Sequence, residues 1–253
     1  RSPSRGLGDV YKRQEQDCVI SLSKMKTHAL ERITGAVKNS YGFVYGFHKA
    51  KGHTQYPSAD SFARMLIDLN KCVAPKLYVM DGIVAMEGNG PGSGDPVPMN
   101  VLLMSTDPVA LDSVFSRLVY LKPEMVPTNY HGEKMGLGTW KEEEITLLTP
   151  DGEISMAEAV KKYGNPAFNV DRTEVRKNIW TRMAGALNIF QKKPYIEADK
   201  CVRCGICVQS CPVPGKAVDF RKGKGKPPVY DYRKCIRCFC CQEMCPKKAI
   251  KVK

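Results

Sequence analysis

The chain has 253 residues and a formal net charge of +13, from 39 Lys and Arg against 26 Asp and Glu. Its hydrophobic fraction of 43% and charged fraction of 26% are those of an ordinary globular protein. No apolar run reaches the roughly 18 residues a membrane-spanning helix needs, and the length allows one domain with a sizeable core plus a smaller one.

From the amino end, SRGLGDVYKRQ at 4–14 resembles a translated sequencing-library transposon adaptor, and the chain does not start with Met. Residues 1–14 are therefore expected to be foreign to the protein, with authentic sequence beginning near Glu15 as an amino-terminally truncated piece. Setting them aside removes Arg1, Arg5, Lys12 and Arg13 against Asp9, and the charge falls to +10. The remaining basicity suits a nucleic acid, an acidic protein or an anionic substrate. Nucleic-acid binding rests on charge alone, because no interleaved aromatic and basic recognition motif is present.

Residues 15–191 alternate short apolar strands with amphipathic helices, the pattern of a layered α/β domain. Strands are predicted over 18–23, 76–80, 101–105 and 144–149. Ser58 caps a predicted helix whose apolar positions Phe62, Met65, Leu66, Leu69 and Val73 recur at spacings of three and four. Asp107 followed by Pro108 starts another, with Leu111, Val114, Phe115, Leu118 and Val119 on one face. These stripes are core.

Polar residues are expected just past the carboxyl ends of the strands, where open α/β sheets bind ligands. Lys24, Lys26 and His28 follow the first strand and Asp81 and Glu87 the second, with Lys38 nearby in sequence. The four basic residues suit a carboxylate or phosphate, and the two acids suit proton transfer or a divalent metal. Taken singly, each is also a solvated surface charge, and one His is weak evidence for a metal. The Gly- and Pro-rich GNGPGSGDP at 88–96 is either a plain surface loop or a lid over a substrate, and it matches neither a dinucleotide fingerprint nor a P-loop.

KMKTHALERITGAVKNSYGFVYG at 24–46, VMDGIVAMEGNGPGSGDP at 79–96 and STDPVALDSV at 105–114 resemble successive blocks of the domain of unknown function 362 family. The likeness covers about residues 17–152. It implies an α/β fold and, often, a carboxyl-terminal ferredoxin module, but no assigned reaction. A helix is predicted over 171–190 with Val175, Ile179, Met183 and Leu187 on one side and Trp180 expected between the domains. A short linker, 192–200, would keep the two modules close.

Residues 201–253 hold the strongest signal. CVRCGICVQSCP at 201–212 and CIRCFCCQEMCP at 235–246 contain nine of the eleven cysteines. Cys201, Cys204, Cys207 and Cys211 have gaps of two, two and three residues before Pro212, and Cys235, Cys238, Cys241 and Cys245 repeat them before Pro246. Three close thiolates can reach three irons of one 4Fe-4S core, while the fourth, displaced by the longer gap and Pro, serves the neighbouring cluster. One cluster is thus expected on Cys201, Cys204, Cys207 and Cys245, and the other on Cys235, Cys238, Cys241 and Cys211. Zinc has no use for the third cysteine of each run.

Residues 197–253 resemble the bacterial two-cluster ferredoxins, including Gly205 and the strand at Ala249-Ile250. The fold expected is therefore an α/β main domain plus a small α+β ferredoxin-like domain. Cys240 falls outside the ligand register and reads as a spare thiol. RKGKGKPP at 221–228 is a solvated loop or a docking patch for an acidic redox partner.

The cysteine spacing and the lack of anything resembling a signal peptide point to a reducing, cytoplasmic setting. The function expected is single-electron transfer through two 4Fe-4S clusters to or from an α/β domain that binds an anionic small molecule or a redox partner. As an enzyme it would be an iron–sulfur oxidoreductase. The alternative is a non-enzymatic carrier or accessory protein whose α/β domain only docks partners.

Overall fold

The computed structural model describes residues 17–44, 47–174, 192–221 and 223–253, and divides into two compact units, 1–170 and 171–253. The adaptor-like segment 1–14 lies outside the described residues, as do Val175, Ile179, Met183 and Leu187 of the expected helix and Trp180.

The first unit is built on a four-stranded sheet in the order β2-β1-β3-β4, formed by β1 (Ile20–His28), β2 (Arg32–Thr34), β3 (Leu77–Glu87) and β4 (Asp95–Ser105). β1 and β3 run parallel, with Leu22 opposite Val79 and Lys24 opposite Asp81. A parallel pair needs a crossover, supplied by α1 (Ala36–Asn39), α2 (Phe47–Gln55) and α3 (Ala59–Val73). β2 and β4 join antiparallel at the edges.

The caps read from sequence hold these helices in place. Ser58 forms a capping box with Ser61, and α3 stops at Ala74 in the left-handed region. Asp107 caps α4 (Pro108–Leu118), its carboxylate accepting from the Val109 and Ala110 amides at 2.7 and 2.9 Å. Phe62, Leu66, Ile67 and Val73 of α3 are buried, as are Leu111, Val114, Phe115 and Leu118 of α4. Met25, Met80, Phe115, Leu118 and Phe168 form one core cluster; Val37, Phe62, Leu66, Ile67 and Val109 form another. α5 (Pro127–Lys134), the hairpin β5 (Leu147–Thr149) with β6 (Gly152–Ile154), and α6 (Met156–Tyr163) complete the unit.

Three strands differ from expectation in length. β1 runs on through Lys24, Lys26 and His28, β3 through Asp81 to Glu87, and β4 begins at Asp95. The polar residues expected beyond the strand ends therefore sit within strands. Residues 88–94 are the antiparallel connection between β3 and β4, and the sheet is mixed. The segment 144–149 is a strand only from Leu147, because Glu142–Glu144 form a 3-10 turn.

In the second unit, β7 (Pro194–Ile196) pairs antiparallel with β10 (Ile250–Val252), and β8 (Val218–Asp219) with β9 (Val229–Tyr230). Residues 192–200, expected as a linker, thus contain a strand of the small domain. Ile196 is opposite Ile250, and Ile250 belongs to the apolar cluster of this unit, so burial decides the assignment. Two short helices, α7 (Ile206–Gln209) and α8 (Cys240–Glu243), lie within the two cysteine runs. The insertion at 221–228 is the connection between β8 and β9.

Candidate metal centre

The cysteine repeat is also a repeat of backbone conformation. Arg203 and Arg237 have φ of 59° and 57°, while Gly205 and Phe239 have φ of 76° and 60°. These left-handed residues turn the chain back between successive cysteines, so that the first three thiols of each run face inward together. Phe239 holds the strained conformation that Gly205 adopts freely.

Two cavities result. One is lined by Cys201, Cys204, Cys207 and Cys245, the other by Cys211, Cys235, Cys238 and Cys241. Each collects three thiols of one run and the last thiol of the other. Among the described residues no three Cys, His, Asp or Glu side chains converge as a single ion would require.

The donors at these sulfurs fit a thiolate-held group. The Ala217 amide donates to Cys211 Sγ and the Ala249 amide to Cys245 Sγ, both at 3.3 Å, and the Tyr230 hydroxyl donates to Cys241 Sγ at 3.1 Å. Burial pushes the Cys207 thiol up to about 11 and the Cys241 thiol to about 12. Buried thiols of this kind ionise only when a cation offsets the desolvation. A cationic iron–sulfur core fits that requirement. Cys240 donates to Cys238, a bond that holds the Cys238 thiol down and raises that of Cys240.

The sequence reading did not pick out Ala217, Ala249 or Tyr230. A signal was present for the first two: Lys216-Ala217-Val218 and Lys248-Ala249-Ile250 follow the two Cys-Pro pairs at similar distances. Lys216 and Lys248 share φ values of 46° and 51°, which aim the next amide back at the sulfur. Nothing in the local sequence marks Tyr230.

In the first unit the six candidate residues have separate tasks. Lys24 Nζ pairs with Asp81 Oδ2 at 2.6 Å, both half-exposed, and this bond, with the Ile83 amide, holds the Asp81 carboxyl below its usual range. Glu87 accepts from the Asn169 amide at 2.7 Å. His28 is buried, and its Nδ1 accepts from the Leu30 and Glu31 amides at 3.2 and 3.0 Å, shaping the turn into β2. Lys26 is half-buried on β1, and Lys38 lies on α1, where its charge acts on Glu31.

Glu31 itself was not foreseen. It is fully buried, neither carboxylate oxygen has a hydrogen-bond partner among the described residues, and burial raises its pKa well above the usual range.

A family model described as a domain of unknown function (DUF362) matches residues 11–117, and a 4Fe-4S dicluster domain model matches residues 193–246. The first match begins inside the adaptor-like segment. The thylakoid-associated protein sll1697 of Synechocystis sp. is 42% identical over 124 residues, 49% of this chain and 39% of that protein. The chain therefore spans well under half the length of that relative. No solved structure matches. Together with the two thiol-lined cavities, these matches mean that the chain joins a DUF362 domain to a carboxyl-terminal domain for two 4Fe-4S clusters.

Proposed function

We propose that the small domain passes single electrons through two 4Fe-4S clusters to or from a redox partner or an anionic small molecule bound by the α/β domain. When bound, a 4Fe-4S group supplies one-electron exchange at a potential set by its hydrogen bonds and exposure. The 4Fe-4S dicluster match supports the electron-transfer role. One observation carries the ligand assignment: each cavity is lined by three thiols of one run and the fourth of the other. Cys201, Cys204, Cys207 and Cys245 then hold one cluster, and Cys235, Cys238, Cys241 and Cys211 the other.

The test compares the surviving cluster in Ser variants by EPR of the reduced protein. Cys245→Ser and Cys204→Ser should leave the same signal, Cys241→Ser a different one, and Cys240→Ser both clusters. If Cys245→Ser behaves like Cys241→Ser, each run serves its own cluster and the assignment falls.

For the α/β domain, Lys26 supports an anionic ligand, since its side chain makes no hydrogen bond or ion pair among the described residues. A second reading, a carrier whose α/β domain docks partners, is favoured by the engagement of Lys24, His28, Asp81 and Glu87 in bonds that shape the sheet and its turns. Turnover of a pure carboxylate or phosphate compound would support the first; transfer only to a protein acceptor would support the second. The cluster-ligand spacing of eight of the eleven cysteines supports a reducing compartment such as the cytoplasm. No helix among the described residues is long and apolar enough to cross a membrane.

A further inference from the structure

The two thiol-lined cavities are unequal. The first includes Cys204, which is exposed, and Cys201, which is half-buried. In the second, Cys211, Cys238 and Cys241 are only 7–8% exposed, and no Lys, Arg, Asp or Glu lines it. Arg203 and Lys247 line the first, both exposed, and neither has an ion-pair partner among the described residues. Beside them, Val202 is 56% exposed, as is Met244, the chain neighbour of Cys245.

The charge of the chain is concentrated in this small unit. Residues 192–253 contain sixteen Lys and Arg against five Asp and Glu, a surplus of eleven out of the whole chain's +13. Of the five acids, Glu197 pairs with Lys200, and Asp231 with Arg221 and Arg233. The negative charge of two thiolate-held clusters lowers this surplus without reversing it. Electron transfer falls steeply with distance, so a partner gains most at the cavity whose thiol reaches solvent, and there it meets two uncompensated cations beside the exposed Val202.

On the reading that these cavities hold the two clusters, we infer that the rim of the first cavity is the port through which electrons cross to a partner. That partner is an acidic one-electron redox protein, bound over Val202, Arg203, Met244 and Lys247 in a small, salt-sensitive encounter of the kind redox pairs form. One electron leaves the reduced cluster side and reduces the partner's flavin or metal centre by one; the reverse transfer uses the same contact. The second cavity, with no Lys or Arg among its lining residues and three of its four thiols buried, is the internal station.

The experiment uses the full chain, anaerobically reduced, and stopped-flow oxidation by two one-electron acceptors: the cobalt(III)–EDTA anion and the hexaamminecobalt(III) cation. Iron, sulfide and reduced-state EPR are recorded for every sample, so that absence of 4Fe-4S clusters, which sinks the underlying reading, is seen separately. In the clustered protein, R203E with K247E should slow the anionic acceptor about tenfold at low salt and speed the cationic one, with both differences vanishing near 1 M salt. R233E with K234E, which reverses exposed charges beside Cys235 of the second cavity, should change the rates far less.

The inference is overturned if the anionic rate is unchanged in the first pair of substitutions with clusters intact, or if the second pair slows it as much. It also fails if the first pair abolishes binding to phosphatidylglycerol vesicles or RNA but leaves oxidation rates alone, for the patch then serves a membrane or nucleic acid. Even without variants, a wild-type rate with cobalt(III)–EDTA that is flat in salt contradicts it.

Discussion

Tyr230 places a phenolic hydroxyl 3.1 Å from Cys241 Sγ, inside a cavity with no Lys, Arg, Asp or Glu to compete with it. A donor to a ligand sulfur stabilises the more negative, reduced state of the group that sulfur holds, and so raises its potential. The Ala217 and Ala249 amides act in the same sense, one at each cavity, but the tyrosine serves only the second. Tyr230→Phe keeps the ring, which stacks on Tyr232 at 5.6 Å between centroids, and removes the hydroxyl alone. Direct electrochemistry should then show one of two potentials shifted downward, with iron content unchanged. Equal shifts in both, or none, would mean that this bond does not tune one cluster.

At the scale of elements, the join between α4 and α1 depends on one carboxyl. Asp112, fully buried on α4, accepts from the Ala36 and Val37 amides at 2.5 and 3.1 Å and so holds the start of α1. Any side chain at Gly35 would strike it, since a Cβ there would lie 2.0 Å from Asp112 Oδ1. Burial raises the Asp112 pKa to about 7 even though both amides pull it down. The folded state therefore keeps a proton that the unfolded chain releases near pH 4. This stabilising contribution is complete below about pH 4, is lost as pH rises to about 7, and is flat above, with a span on the order of 4 kcal/mol. Asp112→Asn should remove that slope, so the stability difference from wild type should shrink in the variant's favour between pH 4 and 7 in urea titrations. A difference constant over that range would contradict the assignment. Asp107 and Ser58 were readable from sequence because a cap is local: one side chain satisfies amides two or three residues on. Asp112 was not, because its donors lie 75 and 76 residues away. β1 misled for another reason. Ser21, Ser23, Met25 and Thr27 face the covered side, while Ile20 and Leu22 are 55% and 71% exposed and share the outer face with Leu102 and Met104. That inverts the usual polar-out alternation, so the strand's true length and the place of Lys24 and Lys26 were hidden. The cysteine spacing, by contrast, left less to tertiary context, since left-handed residues between the thiols gather the first three of each run, and only the fourth comes from the other run.

Across the whole molecule the two units differ in what holds them. The first has cores rich in Phe, Leu, Ile and Met. The buried cluster of the second is Cys207, Cys211, Ala217, Val218, Cys241 and Ile250, half of it thiols, with strands of only two or three residues. So small a hydrocarbon core rarely supplies enough stability alone, and metal binding then contributes much of the folding free energy. Stripping iron with a chelator under reducing conditions should open the amides of β7 to β10 to hydrogen exchange while those of β1 and β3 stay protected; protection retained in both units would show that the small domain folds without its clusters. The central claim is that this domain carries two 4Fe-4S clusters, and iron and acid-labile sulfide in the anaerobically purified chain test it most directly. The account predicts about eight of each per chain, with a broad visible absorption that bleaches on reduction; stoichiometric zinc without sulfide would contradict it.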